Sequence, residues 1–186
     1  MPKLIYAMNT SLDGYINDEQ GNFDWTEPDE ELHTFFNDLV RPIGTHLYGR
    51  RLYEMMSYWQ DPEDLAEAQE YEREFAEIWQ RTDKVVYSRT LDSPPTPRTR
   101  IESAFDPAAV RELKESADAD LTVGGPTLAA EALRAGLVDE LHQVIHPVIV
   151  GGGTPWLPDG LRLDLELLEE RRFAAGPVHL HYRVRS

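Results

Sequence analysis

The hydrophobic positions of the chain alternate between two spacings. Short, mostly apolar runs are typical of buried β-strands, and they cover residues 4–9, 45–48, 84–88, 100–103 and 120–123. Between these runs, apolar side chains recur three and four residues apart, which predicts amphipathic helices over residues 28–40, 50–59, 61–82, 106–117 and 126–135. Regular alternation of strand and helix predicts a mostly parallel sheet with helices on both faces.

The last third of the chain is richer in strands. Residues 141–150, 161–172 and 178–184 each read as a strand, and the final two are expected to pair antiparallel. The predicted fold class is therefore α/β, with antiparallel C-terminal strands at one edge of a mostly parallel sheet. The 186 residues carry no internal repeat or low-complexity run, so residues 1–186 are predicted to form a single domain.

Composition narrows the classes of partner. The chain holds 34 acidic residues against 18 Lys and Arg, a net charge of −16, which disfavours binding to nucleic acid or anionic membranes. It has no cysteine, so disulfides and thiolate chemistry are excluded. With no long apolar run and no export signal, we expect a cytoplasmic protein that binds a small molecule.

Three predicted strand ends carry residues suited to phosphate. Gly49 with Arg50 and Arg51, Ser88 with Arg89, and the run 124–127 (GGPT) each follow a strand. Open parallel sheets bind ligands beyond these carboxyl ends, and helix starts there favour anions. The first junction alone could equally be a tight turn with surface arginines, the run 124–127 could be a glycine turn between packed elements, and the Ser88 junction by itself decides nothing. Together, in an acidic protein, they predict a ligand with several phosphates, and a 2′-phosphorylated dinucleotide fits the arginines.

Five sequence blocks carry a family resemblance. They are residues 11–16 (SLDGYI), 49–54 (GRRLYE), 86–91 (VYSRTL), 123–127 (VGGPT) and 146–153 (HPVIVGGG). In this order and spacing they resemble the dihydrofolate reductase-like family that includes the reductase domain of riboflavin biosynthesis. The G-x-G-x-x-G and Walker motifs of other nucleotide-binding folds are missing. The resemblance covers nearly the whole chain and implies a three-layer domain with NADPH across the strand ends.

The resemblance also implies roles for residues. Gly49, Arg50 and Arg51 would meet the cofactor phosphates, and Ser88 with Arg89 would meet the 2′-phosphate. The pyrophosphate cradle and the nicotinamide side would be formed by Gly124, Gly125, Pro126, Thr127, Leu128, Ala7 and Asn9, with the Asp13 turn nearby. The riboflavin enzymes often carry a fused zinc deaminase, and we expect none within these 186 residues, because its cysteine ligands are missing from them. A homodimer through the C-terminal strands is implied by the resemblance alone.

Catalytic carboxylates are harder to assign. In dihydrofolate reductase an acid near the start of the first helix holds the pterin, and Asp29, Glu30 and Glu31 occupy that region here. Helical geometry turns Glu30 to solvent and places Asp29 and Glu31 near the two edges of the apolar face, of which Glu31 is favoured, although acids at a helix start also stabilise the helix by themselves. Asp13, beside Gly14, is either a site residue or a turn former.

The six histidines suggest no metal site. His33 and His46 read as structural or surface residues, and His142 and His146 have no evident carboxylate partner. On the last strand, His179 and His181 are spaced to ligate zinc together, but no third ligand is evident, so none is predicted.

The sequence thus predicts an NADPH-dependent reductase of a small heterocyclic or carbonyl substrate. The resemblance makes it similar to the 5-amino-6-(5-phosphoribosylamino)uracil reductase of riboflavin biosynthesis. A true dihydrofolate reductase and a non-catalytic NADPH-binding protein remain alternatives. The aromatic segment containing Phe23, Trp25 and Pro28 is either a lid over the substrate or a packed loop.

Overall fold

The elements of the fold follow the predicted alternation. The computed structural model describes residues 1–61, 63 and 65–185. The strands are β1 (Leu4–Thr10), β2 (Tyr15–Asn17), β3 (Ile43–Gly49), β4 (Asp83–Tyr87), β5 (Thr99–Glu102), β6 (Asp120–Gly124), β7 (Glu140–Ile145), β8 (Thr154–Pro155), β9 (Leu165–Arg172) and β10 (Val178–Val184). The helices are α1 (Glu30–Val40), α2 (Arg50–Met56), α3 (Glu70–Arg81), α4 (Pro107–Ser116) and α5 (Pro126–Arg134), with 3₁₀ turns at Asp24–Thr26 and Ser57–Gln60.

Eight strands form one sheet in the order β5-β4-β3-β6-β1-β7-β10-β9. Neighbouring strands from β5 to β7 are parallel, whereas β10 is antiparallel to both β7 and β9. The short strands β2 and β8 pair separately. The predicted α/β class, with a mostly parallel sheet and antiparallel C-terminal strands, is confirmed.

Side-chain alternation along the strands builds three layers. Leu47 of β3 and Val85 of β4 belong to the core that includes side chains of α4 and α5. The following residues, Tyr48 and Val86, point to the opposite face and pack with Trp79 of α3. Successive side chains of a strand face opposite sides of a sheet, so each central strand supports a helix layer on both faces. In the part of the chain that is described, no helix is long and apolar enough to cross a membrane.

Several predicted boundaries were wrong, and one is the start of the strand expected over residues 161–172, which begins at Leu165. The helix expected over residues 61–82 begins only at Glu70, where the Glu72 carboxylate accepts a hydrogen bond from the Gln69 amide at 2.6 Å and caps the first turn. Positions 62 and 64, which belong to the predicted first turn of this helix, lie outside the described residues. The strand expected over residues 141–150 ends at Ile145, shortly before Pro147, which has no amide hydrogen for a sheet ladder.

Candidate functional site

The three predicted phosphate junctions meet at one edge of the sheet. β4, β3 and β6 are neighbours, and their carboxyl ends are in register, with Gly49 opposite Tyr87 and Tyr48 opposite Gly124. Ser88 follows Tyr87 directly. Segments that are far apart in the sequence therefore come together where an open parallel sheet binds ligands.

Arg50 connects two of these junctions. Its Nε lies 2.7 Å from Glu54 Oε1, and its Nη1 donates a hydrogen bond to Thr90 Oγ1 in the turn after β4. In the same turn, Ser88 Oγ accepts hydrogen bonds from the amides of Thr90 and Leu91 at 3.2 and 3.1 Å. Arg51 and Arg89 are exposed. The guanidinium of Arg50 is thus held beside the turn that carries Ser88.

Two glycines leave open space against the backbone. A Cβ added at Gly49 or at Gly125 would meet no heavy atom within 4 Å. Gly125 also has φ +90°, a backbone conformation that residues other than glycine rarely adopt, and it forms the N-cap of α5. A ligand can therefore approach the main chain closely at both positions. By contrast, a Cβ at Gly124 would overlap Leu52 Cδ2, so this glycine serves the packing of β6 against α2.

The predicted residues after Gly125 differ in their surroundings. Pro126 and Thr127 form the first turn of α5, with Thr127 exposed. Leu128 is only 7% exposed and packs in the core, so its side chain is turned away from the sheet edge. Any contact that Leu128 makes with a ligand there would come from its main chain.

A cleft of about 570 Å³ adjoins this edge. It lies between the ends of β1, β3 and β6 on one side and α1 and α2 on the other. Ala7 and Asn9, predicted for the nicotinamide side, both line it, as does Gly124 of the third junction. The cleft therefore continues into the third phosphate junction, and the other two junctions lie beside it along the carboxyl ends of the strands.

His46 is a buried polar side chain that lines the cleft. Its Nδ1 lies 2.5 Å from Thr122 Oγ1, and its ring stacks on Tyr48 with centroids 5.3 Å apart. Burial, with a smaller contribution from the positive charge of Lys84, lowers the pKa of His46 to about 3. His46 is thus neutral at physiological pH. The sequence interpretation of His46 as a merely structural or surface residue missed this position, because only the pairing of β3 with β6 places it opposite Thr122.

A second polar pair stands at the end of β1. His146 Nε2 lies 2.8 Å from Asn9 Oδ1, and burial lowers the pKa of His146. Trp25 meets the His146 ring edge to face at 5.7 Å, while Phe23 and Pro28 from the same loop line the cleft. The aromatic loop therefore forms part of the cleft wall, and its Trp25 packs against His146, which orients Asn9.

Neither predicted catalytic carboxylate lines the cleft. Asp13 accepts hydrogen bonds from the amides of Gly151 and Val150 at 2.8 and 3.2 Å, and its hydrogen bond with Ser11 is the largest cause of its lowered pKa. Both of its oxygens thus hold the loop after β7.

Glu31 lies on the side of α1 that faces β9. Its carboxylate accepts hydrogen bonds from Arg171 Nη2 at 3.2 Å and from the Ala174 amide at 3.0 Å. The acids that do line the cleft, among the described residues, are Asp24 and Glu27 from the loop before α1. The sequence reasoning passed over both, since nothing local separates them from other loop acids.

The C-terminal histidines acquire a carboxylate partner that the sequence interpretation did not find. The pairing of β7 with β10 brings Glu140 to His181, with Oε2 and Nε2 3.0 Å apart, and His142 Nδ1 to within 3.0 Å of His179 Nε2. Glu140, His142 and His181 lie close enough together to hold a metal ion. The rings of His142 and His181 are stacked with centroids 3.9 Å apart, however, so their in-plane lone pairs run side by side and do not converge.

Comparisons with known proteins agree with this architecture. The family model of the RibD C-terminal domain matches residues 2–178. The uncharacterized protein YyaP of Bacillus subtilis (strain 168) is 30% identical over 182 residues, which span 97% of this chain and 94% of YyaP.

Solved structures show the same fold at low sequence identity. A protein of Shewanella sp. PV-4, whose name assigns it provisionally to riboflavin biosynthesis, superposes with a TM-score of 0.78 at 19% identity and covers 99% of both chains. Dihydrofolate reductase from Enterococcus faecalis, complexed with NADP(H) and RAB-propyl, superposes with a TM-score of 0.66 at 12% identity, covering 99% of this chain and 97% of its own. The predicted dihydrofolate reductase-like fold is therefore confirmed.

Proposed function

Because the chain belongs to the RibD C-terminal domain family, we propose that it is an NADPH-dependent reductase of a small heterocyclic or carbonyl substrate. One observation carries this proposal: three junctions that carry glycine or arginine lie side by side at the ends of β4, β3 and β6, and Gly124 of the third junction lines the cleft. Such a surface suits a ligand with phosphates at one end and a reactive ring at the other.

The residues present fit the phosphate half of NADPH. The open main chain at Gly49 and Gly125 admits a close approach, and the amides that begin α5 favour an anion. Arg50 is already held beside the turn of Ser88, and exposed Arg89 supplies a second guanidinium for the 2′-phosphate. These guanidinium groups supply positive charge at the site, although the chain as a whole carries a net charge of −16.

The cleft would hold the nicotinamide half of NADPH. Bound NADPH supplies a hydride, and the protein positions the ring that receives it. Ala7 and Asn9 would flank the nicotinamide, with the Asn9 amide oriented by His146. The mainly apolar walls exclude water, and the His46–Thr122 pair donates a hydrogen bond to the acceptor atom of the substrate.

The observations favour this function over a true dihydrofolate reductase. That alternative depends on a carboxylate brought into the cleft by the start of α1. Among the described residues of α1, those that line the cleft are His33, Phe36, Leu39 and Val40, and none is acidic, while the acids that do line it, Asp24 and Glu27, precede the helix and are exposed. Glu31 instead pairs with Arg171.

We propose a homodimer as the assembly. β9 is an edge strand of the sheet, and its Leu165 and Leu167 are 38% and 49% exposed. An edge strand with exposed apolar side chains suits pairing with a second copy. Light scattering coupled to size-exclusion chromatography tests this: a monomer mass would refute it, and a Leu167→Glu variant should shift a dimer toward monomer.

Calorimetric titration with NADPH and NADH tests the cofactor. We expect NADPH to bind more tightly, because only NADPH carries the phosphate that Ser88 and Arg89 would contact. Replacing Arg50 or Arg89 by Ala should each cost about 1.5 kcal/mol of NADPH binding, the lower end of the range for a charged hydrogen bond, since both side chains are exposed. Arg111→Ala, exposed on α4, is the matched control and should bind NADPH normally.

An Arg50 and Arg89 double variant with unchanged NADPH affinity would refute the phosphate site. Turnover is measured separately, as NADPH oxidation with a panel of carbonyl and heterocyclic compounds. A protein that binds NADPH but accelerates its oxidation with no compound would support the non-catalytic alternative.

A further inference from the structure

The charge of the cleft restricts the substrate. Among the described residues that line it, none is Lys or Arg, and the two charged side chains are Asp24 and Glu27. Glu27 is exposed beside Phe23, which is 44% exposed, so these residues stand at the open end. A phosphate or carboxylate on a substrate would meet like charge there and no ionic partner.

The walls of the cleft favour a flat, apolar body. Phe36 of α1 faces a cleft that is also lined by Trp59 and Phe75. Met55 and Met56 of α2 line the same cleft, and methionine adapts its shape to a ligand. Aromatic faces bind planar rings by stacking, and their negative faces attract cations. The lining thus suits a neutral or cationic ring.

The floor of the cleft offers a hydrogen-bond donor. His46 is neutral, so it carries one N–H and one free nitrogen lone pair. If Thr122 donates its O–H to His46 Nδ1, the Nε2–H of the imidazole is left to donate. If His46 Nδ1–H donates to Thr122, the hydroxyl hydrogen is left instead. With either tautomer the pair retains one donor, and both residues line the cleft.

From these three features we infer that the substrate is a planar ring, neutral or cationic, without phosphate, whose carbonyl oxygen or ring nitrogen accepts a hydrogen bond from the His46–Thr122 pair. The inference rests on the proposed reductase function, because it treats the cleft as the substrate site. It departs from the sequence expectation: 5-amino-6-(5-phosphoribosylamino)uracil carries a phosphate that this cleft does not accommodate.

Matched ligand pairs test the inference. Protein saturated with NADP⁺ is titrated with riboflavin and with FMN, and separately with uridine and uridine 5′-monophosphate. Each pair shares a planar ring with carbonyl acceptors and differs by one phosphate. We expect at least one unphosphorylated compound to bind and its phosphorylated counterpart to bind at least about tenfold more weakly, which corresponds to about 1.4 kcal/mol.

Charge-reversal variants locate the effect. Glu27→Lys should narrow the difference within a pair at least about threefold, because it removes one negative charge at the cleft mouth and adds a positive one. Glu115→Lys, an exposed position of α4 on the opposite face, makes the same change in net charge and should leave the difference unaltered. The thermal unfolding of both variants confirms that they fold.

Two results would overturn the inference. One is equal or tighter binding of the phosphorylated compound, and the other is no binding of either unphosphorylated compound at millimolar concentration. The cofactor titration is performed first and distinguishes these failures from failure of the proposed function. If NADPH binds and the ligand pairs behave otherwise than expected, the substrate class is wrong while the cofactor site stands.

Discussion

Acid should destabilise the protein through His46, at the floor of the cleft. An unfolded histidine has a pKa of about 6.5, whereas burial lowers the pKa of His46 in the folded protein to about 3. As the pH falls below 6.5, His46 of the unfolded chain therefore binds a proton that His46 of the folded chain does not bind. Stability is full above the unfolded pKa and is lost as the pH falls from about 6.5 toward 3.

The expected size of the effect follows from linkage. Between pH 7.5 and pH 5.5, one such histidine lowers the free energy of unfolding by between about 1 and 2 kcal/mol. His142 and His179, whose pKa values burial lowers to about 3 and about 4, act in the same direction. The contribution of His46 is therefore obtained as a difference between the wild type and His46→Gln.

Urea unfolding followed by tryptophan fluorescence measures that difference at the two pH values. We expect the wild type to lose between about 1 and 2 kcal/mol more than His46→Gln on acidification. Thr122→Val is the control: it removes the hydrogen-bond partner but leaves His46 buried, so the pH dependence should persist. Equal acid losses in the wild type and His46→Gln would refute the reasoning, as they would mean that His46 is protonated in the folded protein near its ordinary pKa.

Three further predictions concern single residues. Lys84 is buried with a pKa lowered to about 8, so between pH 8 and 10.5 the free energy of unfolding of the wild type should rise by about 3 kcal/mol relative to that of Lys84→Met, as measured by urea unfolding. Glu31→Gln breaks a half-exposed ion pair with Arg171, so it should lower stability in thermal unfolding by under about 1 kcal/mol and leave NADPH oxidation unchanged. A stable Glu31→Gln variant that has lost turnover would show that Glu31 acts in catalysis. Gly125→Ala should lower the free energy of unfolding by roughly 1–3 kcal/mol, because alanine is strained at the positive φ of this position. Gly49→Ala should have the thermal unfolding of the wild type, since its Cβ meets no atom, but calorimetry should show weaker NADPH binding, because the Cβ occupies space that the ligand needs.

The local signals of the sequence were reliable where one short segment decides the outcome. The spacing of apolar residues predicted α1 and β1 closely, and Gly124, Gly125 and Pro126 marked the end of β6 and the start of α5. The start of α3 was missed because acids and apolar residues continue upstream with compatible spacing, and only the capping contact between Gln69 and Glu72 decides where the helix begins.

The orientation of α1 shows where local reasoning ends. A helical projection placed Glu31 at one edge of the apolar face, but an apolar face has two edges. Packing of Leu32 with Phe173 and Val144 turns the Glu31 edge toward Arg171 and leaves the other side of the helix to the cleft.

The sequence by itself determined the α/β alternation, the antiparallel tail and the phosphate-suited junctions, because each of these depends on residues close together in the chain. The tertiary structure alone decided the cleft and its chemistry. His46 meets Thr122, and Asn9 meets His146, only because the strand order places their strands side by side. The charge of the cleft is equally a tertiary property, since it depends on which loop acids the fold places at the open end and which arginines it keeps at the neighbouring edge.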